Sequence, residues 1–140
     1  MRPDIYTRAL SYISVPYRHQ GRSAETGCDC LGFLILTLEG LVDIPSSLEL
    51  PSYSPSWIEH RKDDPLIEGI AVYLPLRNIR QLEIGDILIF RMRKDMPAKH
   101  CAFLGRDKIV HCRSDVGVVE EEFTREWQRR LSAAFYVPEP

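Results

Sequence analysis

The sequence predicts an α+β fold, helices first and an antiparallel sheet after them, and three observations carry that expectation. Apolar residues recur at helical spacing in the first half, at Ile5 and Ala9 and again at Leu31, Leu34, Ile35 and Leu38. From Ile87 onward, short apolar runs alternate with turn residues such as Gly85-Asp86 and Gly105-Arg106-Asp107. The length, 140 residues, fits one domain (1–140) with a modest core.

Taken in order, the first helix is expected over Arg2 to Ser11, followed by extended chain at Val15-Pro16-Tyr17 and a polar loop from Arg18 to Gly27. The second helix starts at Asp29 or Cys30 and runs to about Glu39, with Asp29 as N-cap and Gly40 to end it. Its nearly continuous hydrophobicity marks it as the central, buried helix. Asp43 to Pro55 reads as an irregular connection, and Trp57 to Arg61 as a turn of helix. Asp64-Pro65 opens another helix through Leu66, Ile70 and Tyr73, with Asp64 as cap and Pro65 in the first helical position. Five strands are then expected: Ile87 to Met92, His100 to Leu104, Lys108 to Cys112, Val116 to Glu121 and Ala133 to Val137. Before the last of them Thr124 caps a short helix containing Trp127 and Leu131.

Composition narrows the function. Apolar residues make up 44% and charged residues 27%, and 18 basic against 20 acidic side chains leave a formal charge of −2. No basic block suggests a polyanion surface, so nucleic acid is not an expected partner. Met1 to Ser14 lacks the apolar core of a secretory signal, and no run approaches the ~18 apolar residues of a membrane span. The expectation is a protein made in the cytoplasm, without signal peptide or membrane insertion. Four cysteines in such a chain are expected as free thiols.

Cys30 falls in the first turn of the buried helix, where unpaired N–H groups and the helix dipole stabilise a thiolate. That is where a nucleophilic cysteine belongs; a small apolar filler is the alternative. The histidines bear on the choice. If the hairpin turns about Arg106-Asp107, Leu104 faces Ile109 and Ala102 faces His111. His100 and His111 are then diagonal neighbours on one face, while Cys101, Phe103, Val110 and Cys112 occupy the other. His100 would act as base and His111 would orient it, against the alternative of two half-exposed strand histidines. Tyr17, just before the loop leading to Cys30, would reach the site as an oxyanion donor or else pack as a core tyrosine.

A metal centre is the rival reading, since Cys28, Cys30, His100, Cys101, His111 and Cys112 are six soft ligands in three clusters. Against zinc, Cys-x-Cys is tighter than usual ligand spacing, and neighbouring strand residues point to opposite faces. Arg18, Arg22, Lys99 and Arg113 flank the site as solvated charges or as carboxylate anchors; His19 and His60 are expected at the surface.

The run from Val15 to Gly21 with Gly27-Cys28-Asp29-Cys30-Leu31-Gly32-Phe33 resembles the Pro-Tyr and Asp-Cys-Ser-Gly signature of the NlpC/P60 cysteine peptidases. It is closer still to their phage-tail and gene-transfer-agent branch. Gly85-Asp86 with its strand, His100, and Ile109-Val110-His111 follow the family order. Pro51 to Trp57 and Trp127-Gln128-Arg129-Arg130 are similar to that branch. The resemblance implies a papain-like fold in which the nucleophile helix packs on a five-stranded antiparallel sheet. It also implies Cys30 as nucleophile, His100 as base, His111 as third polar member and Tyr17 as oxyanion-side tyrosine, with no cofactor and no metal. The substrate it implies is the peptidoglycan stem peptide, and the partners are phage-like tail hub or tip proteins. The protein would then travel with a virion or tail and act on the cell wall. One departure is that Leu31 stands where many members have Ser, which leaves the bond cut open. A structural tail-tip component that keeps the fold without hydrolysis is the alternative reading.

Overall fold

The structure, a computed structural model, describes residues 1–48 and 64–140. The expected connection beyond Leu48, the helical turn at Trp57 to Arg61, the Pro51 to Trp57 segment and His60 lie outside the described residues.

Helix α1 spans Pro3–Leu10, with proline at its start and Ile5 and Ala9 buried. Its Arg8 reaches the Thr37 carbonyl at 2.8 Å and the Glu39 carbonyl at 2.6 Å. Those are end-of-helix acceptors of α2, which spans Cys30–Leu38, and a cation is the natural partner for them. Between the helices, the polar loop holds a small hairpin, β1 Arg22–Ser23 with β2 Gly27–Cys28, not anticipated from the sequence.

α2 is the central helix. Leu31, Phe33, Leu34 and Leu38 are each 1% exposed or less, and Phe33 packs edge-on to Phe103 of the sheet at 5.4 Å. Burying each such side chain contributes about 1.5–3 kcal/mol, which anchors the helix against the strands. Gly32 sets how closely α2 meets the preceding loop, because a Cβ there would overlap the Gly21 carbonyl oxygen.

After α3, Pro65–Ala71, come β3 Leu76–Arg77, β4 Ile87–Phe90, β5 His100–Leu104, β6 Lys108–Arg113, β7 Gly117–Glu122, α4 Arg125–Arg130 and β8 Leu131–Phe135. The sheet runs β3-β8-β4-β5-β6-β7, antiparallel throughout. It therefore has six strands where five were expected, because the two-residue β3 adds to the outer side of β8. Leu131 belongs to β8 and not to the preceding helix, and Tyr73 lies beyond α3. Asp64 sits at the N-cap of α3 but makes no side-chain cap. Its Oδ2 instead accepts from Arg91 at 2.9 Å and from the Ala98 N–H at 3.1 Å. It thereby ties the helix start to the loop that leads into β5.

Both sheet faces are covered. Ile87, Ile89, Cys101, Phe103, Val110 and Cys112 pack toward α1 and α2. Leu88, Phe90, Ala102, Leu104 and Ile109 pack with Phe123, Trp127 and Leu131 on the other side. The apolar side chains of β4 are buried on both faces, which explains its unalternating sequence.

Candidate active site

Cys30 is the first residue of α2 and is 7% exposed. The cap beneath it is Asp29, whose Oδ1 accepts from Gly32 N at 2.7 Å and from Arg22 at 2.8 Å. Its Oδ2 accepts from Gln20 N at 3.1 Å. That carboxylate is thus committed to fixing the loop and the helix start. The Cys30 Sγ lies 3.4 Å from the Lys99 carbonyl, and the Cys101 thiol donates to the Cys30 carbonyl at 3.2 Å. The Cys30 thiol is pulled down to about 5, chiefly by the Cys101 thiol and then by hydrogen bonding and charge from His100, against the opposing effect of burial. Cys101 is driven the other way by its proximity to Cys30 and by burial, so the two thiols divide into one thiolate and one thiol.

The histidines meet as the hairpin register requires. Leu104 pairs with Ile109 and Phe103 with Val110. Alternation then sends His100 and His111 to one face, where His100 Nε2 and His111 Nδ1 are 2.7 Å apart. Cys101 and Cys112 turn to the opposite face and are buried there. His100 is partly buried and His111 has no exposed surface at all, so the two are not a pair of half-exposed strand histidines. Burial, then the neighbouring His100 charge, hold its ring down to about 4, so it is neutral at physiological pH. Because His100 Nε2 faces His111, its Nδ1 is the nitrogen left for Cys30.

Cys30, both histidines and Tyr17 line one cleft of about 990 Å³. Tyr17 is 37% exposed and bridges to Cys28 through the backbone. Burial, then the charges of Asp29 and Cys30, raise its phenol, so the hydroxyl stays protonated and able to donate. It is a cleft residue and not a core tyrosine. Lys99 and Arg113 also line the cleft, as does the exposed His19, whereas Arg22 is turned toward Asp29 and the carbonyls of Ser46 and Leu48. Leu31 is 1% exposed and packs in the core, away from the cleft. Cys28 and Cys112 lie 4.0 Å apart, sulfur to sulfur, and all four cysteines are free and buried. Among the described residues no group of three or more His, Cys, Asp or Glu side chains is placed to hold a metal, since the strands split each His-Cys pair across the sheet.

Two site residues went unrecognised in the sequence. Glu121 brings Oε1 to 2.9 Å from His111 Nε2. The oxygen lies off the N–H axis, so no aligned hydrogen bond joins the two, and that ring nitrogen has no other partner among the described residues. Trp127 donates its indole N–H to the same oxygen at 2.9 Å, stacks on His100 at 5.7 Å and 25°, and meets His111 edge-on at 5.2 Å. The β6–β7 pairing of His111 with Val119 makes Glu121 the diagonal neighbour of His111. Strand alternation across that hairpin is the signal from which Glu121 could have been found.

The class is an α+β domain in which a cysteine at a helix N-terminus and a histidine pair on an antiparallel sheet line one cleft. No protein-family model matches the sequence, and no curated protein matches it. Solved structures do match. An NLP/P60-family lipoprotein-like protein from Staphylococcus aureus aligns over 97% of this chain with 20% identity and a TM-score of 0.62. An NlpC/P60-family protein from Bacillus cereus aligns over 99% with 19% identity and a TM-score of 0.72. The NlpC/p60 domain of the peptidoglycan hydrolase SagA aligns over 94% with 21% identity and a TM-score of 0.62. The chain spans 41% of each of the first two proteins and 94% of the SagA domain. The fold is the NlpC/P60 fold. Among the described residues no helix is long and apolar enough to cross a membrane.

Proposed function

We propose that this chain is a cysteine peptidase that cleaves amide bonds in the peptidoglycan stem peptide. The observation that carries the reading is the thiol of Cys30, lowered to about 5 at the start of a buried helix and in reach of the His100–His111 pair. The Cys30 thiolate attacks the amide carbonyl, and the negative charge that develops on oxygen is met by the Cys30 N–H and the Tyr17 hydroxyl. His100, carrying the proton, delivers it to the leaving amine; water then attacks the thioester and releases the acid. Peptidoglycan as substrate is supported by the likeness to the NlpC/p60 domain of the peptidoglycan hydrolase SagA, and the stem peptide by the sequence resemblance. The Leu31 departure leaves the bond unassigned, because its side chain packs in the core and not in the cleft. Carriage on a phage-like tail, with hub or tip proteins as partners and the cell wall as place of action, rests on the sequence resemblance alone.

The test is digestion of purified sacculi and defined muropeptides, read by mass spectrometry. The wild type should release stem-peptide fragments and Cys30→Ala should release none while melting at the same temperature. Turnover by folded Cys30→Ala would end the mechanism. Intact substrate with the wild type would leave the structural tail-component reading in its place.

A further inference from the structure

The tautomer of His111 decides whether neutral His100 can act as a base, and neutral His100 accommodates either tautomer. A neutral imidazole has one N–H and two nitrogens on which to put it. With the proton on Nδ1, His111 donates to His100 Nε2 across the 2.7 Å contact. Neutral His100 then carries its own proton on Nδ1, the nitrogen facing Cys30, and is blocked as a base. With the proton on Nε2, the bare His111 Nδ1 accepts from His100 Nε2–H and leaves His100 Nδ1 open to the thiol proton. The protonated state of His100 makes the same demand: both its nitrogens then carry hydrogen, so His111 Nδ1 must be bare.

The choice is therefore made at the far nitrogen of His111, where the Glu121 carboxylate sits at 2.9 Å. A carboxylate oxygen against a bare ring nitrogen opposes two lone pairs, whereas against an N–H it attracts, and because His111 has no exposed surface the difference is enlarged. We propose that Glu121 is a positioning residue that holds the His111 proton on Nε2 and so frees the Cys30-facing nitrogen of His100. This rests on the cysteine-peptidase reading above.

The surroundings hold Glu121 to that task. Its Oε1 also accepts from Trp127 Nε1 at 2.9 Å, and its Oε2 from Arg113 at 3.2 Å. Arg113 is itself braced by Asp115 at 2.7 and 3.0 Å. Trp127, having anchored the carboxylate, walls both histidine rings, so a displaced Glu121 would loosen the indole as well. Contacts of 2.7 Å from His100 to His111, 2.9 Å from His111 to Glu121 and 2.9 Å from Trp127 to Glu121 join these side chains in sequence, the middle one being electrostatic and not an aligned hydrogen bond.

The experiment is the ring-nitrogen NMR of uniformly 15N-labelled protein near neutral pH, with muropeptide kinetics beside it. Wild-type His111 should appear as the Nε2–H form. Glu121→Ala should convert it, wholly or in part, to Nδ1–H and lower kcat about 10- to 100-fold with KM little changed. Glu121→Gln keeps an acceptor oxygen and should restore the Nε2–H form and most of kcat. A wild-type His111 protonated on Nδ1 overturns the proposal without any variant, so it stays testable even if Glu121→Ala does not fold. A folded Glu121→Ala with unaltered tautomer and rate also overturns it. If the wild type cleaves nothing, the peptidase reading fails, while the tautomer spectrum still decides for or against Glu121.

Discussion

The ionisation of Cys30 gives the most direct quantitative test. With its thiol near 5, about nine-tenths of Cys30 is thiolate at pH ~6, whereas an ordinary thiol near ~8.5 is about 0.3% ionised there. That is a ratio of roughly 300. A less basic thiolate is also a poorer nucleophile, and a Brønsted slope of about 0.4–0.5 returns a factor of roughly 30–50 of the advantage. The net expectation is alkylation by iodoacetamide about tenfold faster than a free cysteine at pH ~6. The shape of the profile matters more than the rate, since burial of Cys30 slows every point alike. Cys30 alkylation, followed by peptide mass mapping, should be nearly flat from about pH 6 to 9 and fall only below about pH 5. A rate that climbs tenfold per pH unit through that range would mean an ordinary thiol, and Cys101 and His100 would then not be acting on Cys30 as described.

The remaining predictions concern the histidines and the packing that sets the site. His111→Asn should lower kcat less than His100→Ala, because an amide still orients a neighbouring imidazole; the reverse order in steady-state kinetics would exchange their roles. The folded value of His111, about 4, lies below its ordinary 6.5, so the unfolded chain takes the proton first as pH falls. Stability from this residue is fully present above 6.5 and is lost as pH drops to about 4, by at most roughly 3 kcal/mol. Urea midpoints at the two ends of that window should differ more for wild type than for His111→Asn, and equal slopes would refute the assignment. Gly32→Ala places a Cβ against the Gly21 backbone and should cost about 1–3 kcal/mol, with a larger loss of turnover because Cys30 moves with the helix. Unchanged melting and activity in that variant would show that the loop yields freely.

The parts of the molecule that could be read ahead are those where local rules and long-range packing agree. The β5–β6 hairpin was legible because Gly105-Arg106-Asp107 sets the register and two alternating strands then assign every side chain to a face. The start of α2 was legible because Asp29 at the cap and an apolar stripe after it both demand a helix there. β3 was not, since Leu76–Arg77 is too short to carry a pattern and becomes a strand only by meeting Phe135 and Ala134 from the far end of the chain. Asp64 misled because capping chemistry was present but Arg91 and Ala98, distant in sequence, claim the carboxylate. Glu121 was hidden in a run of three glutamates that reads as a solvated strand, and only the β6–β7 pairing separates it from its neighbours. Cys30, His100, His111 and Tyr17 do converge, because the positions that bring them together are set by elements whose signals were clear.

The place of β8 in the sheet has a further consequence for synthesis. β8 lies between β3 and β4, so the sheet keeps an open seam until residues 131–135 have left the ribosome. The segment just before it carries Trp127, which covers both histidine rings. A nascent chain that already contains Cys30, His100 and His111 therefore holds all three without the strand and the indole that close around them. Assembly of the site thus waits for residues 127–135 to emerge, and chains cut short before them would lack the strand and the indole that complete it.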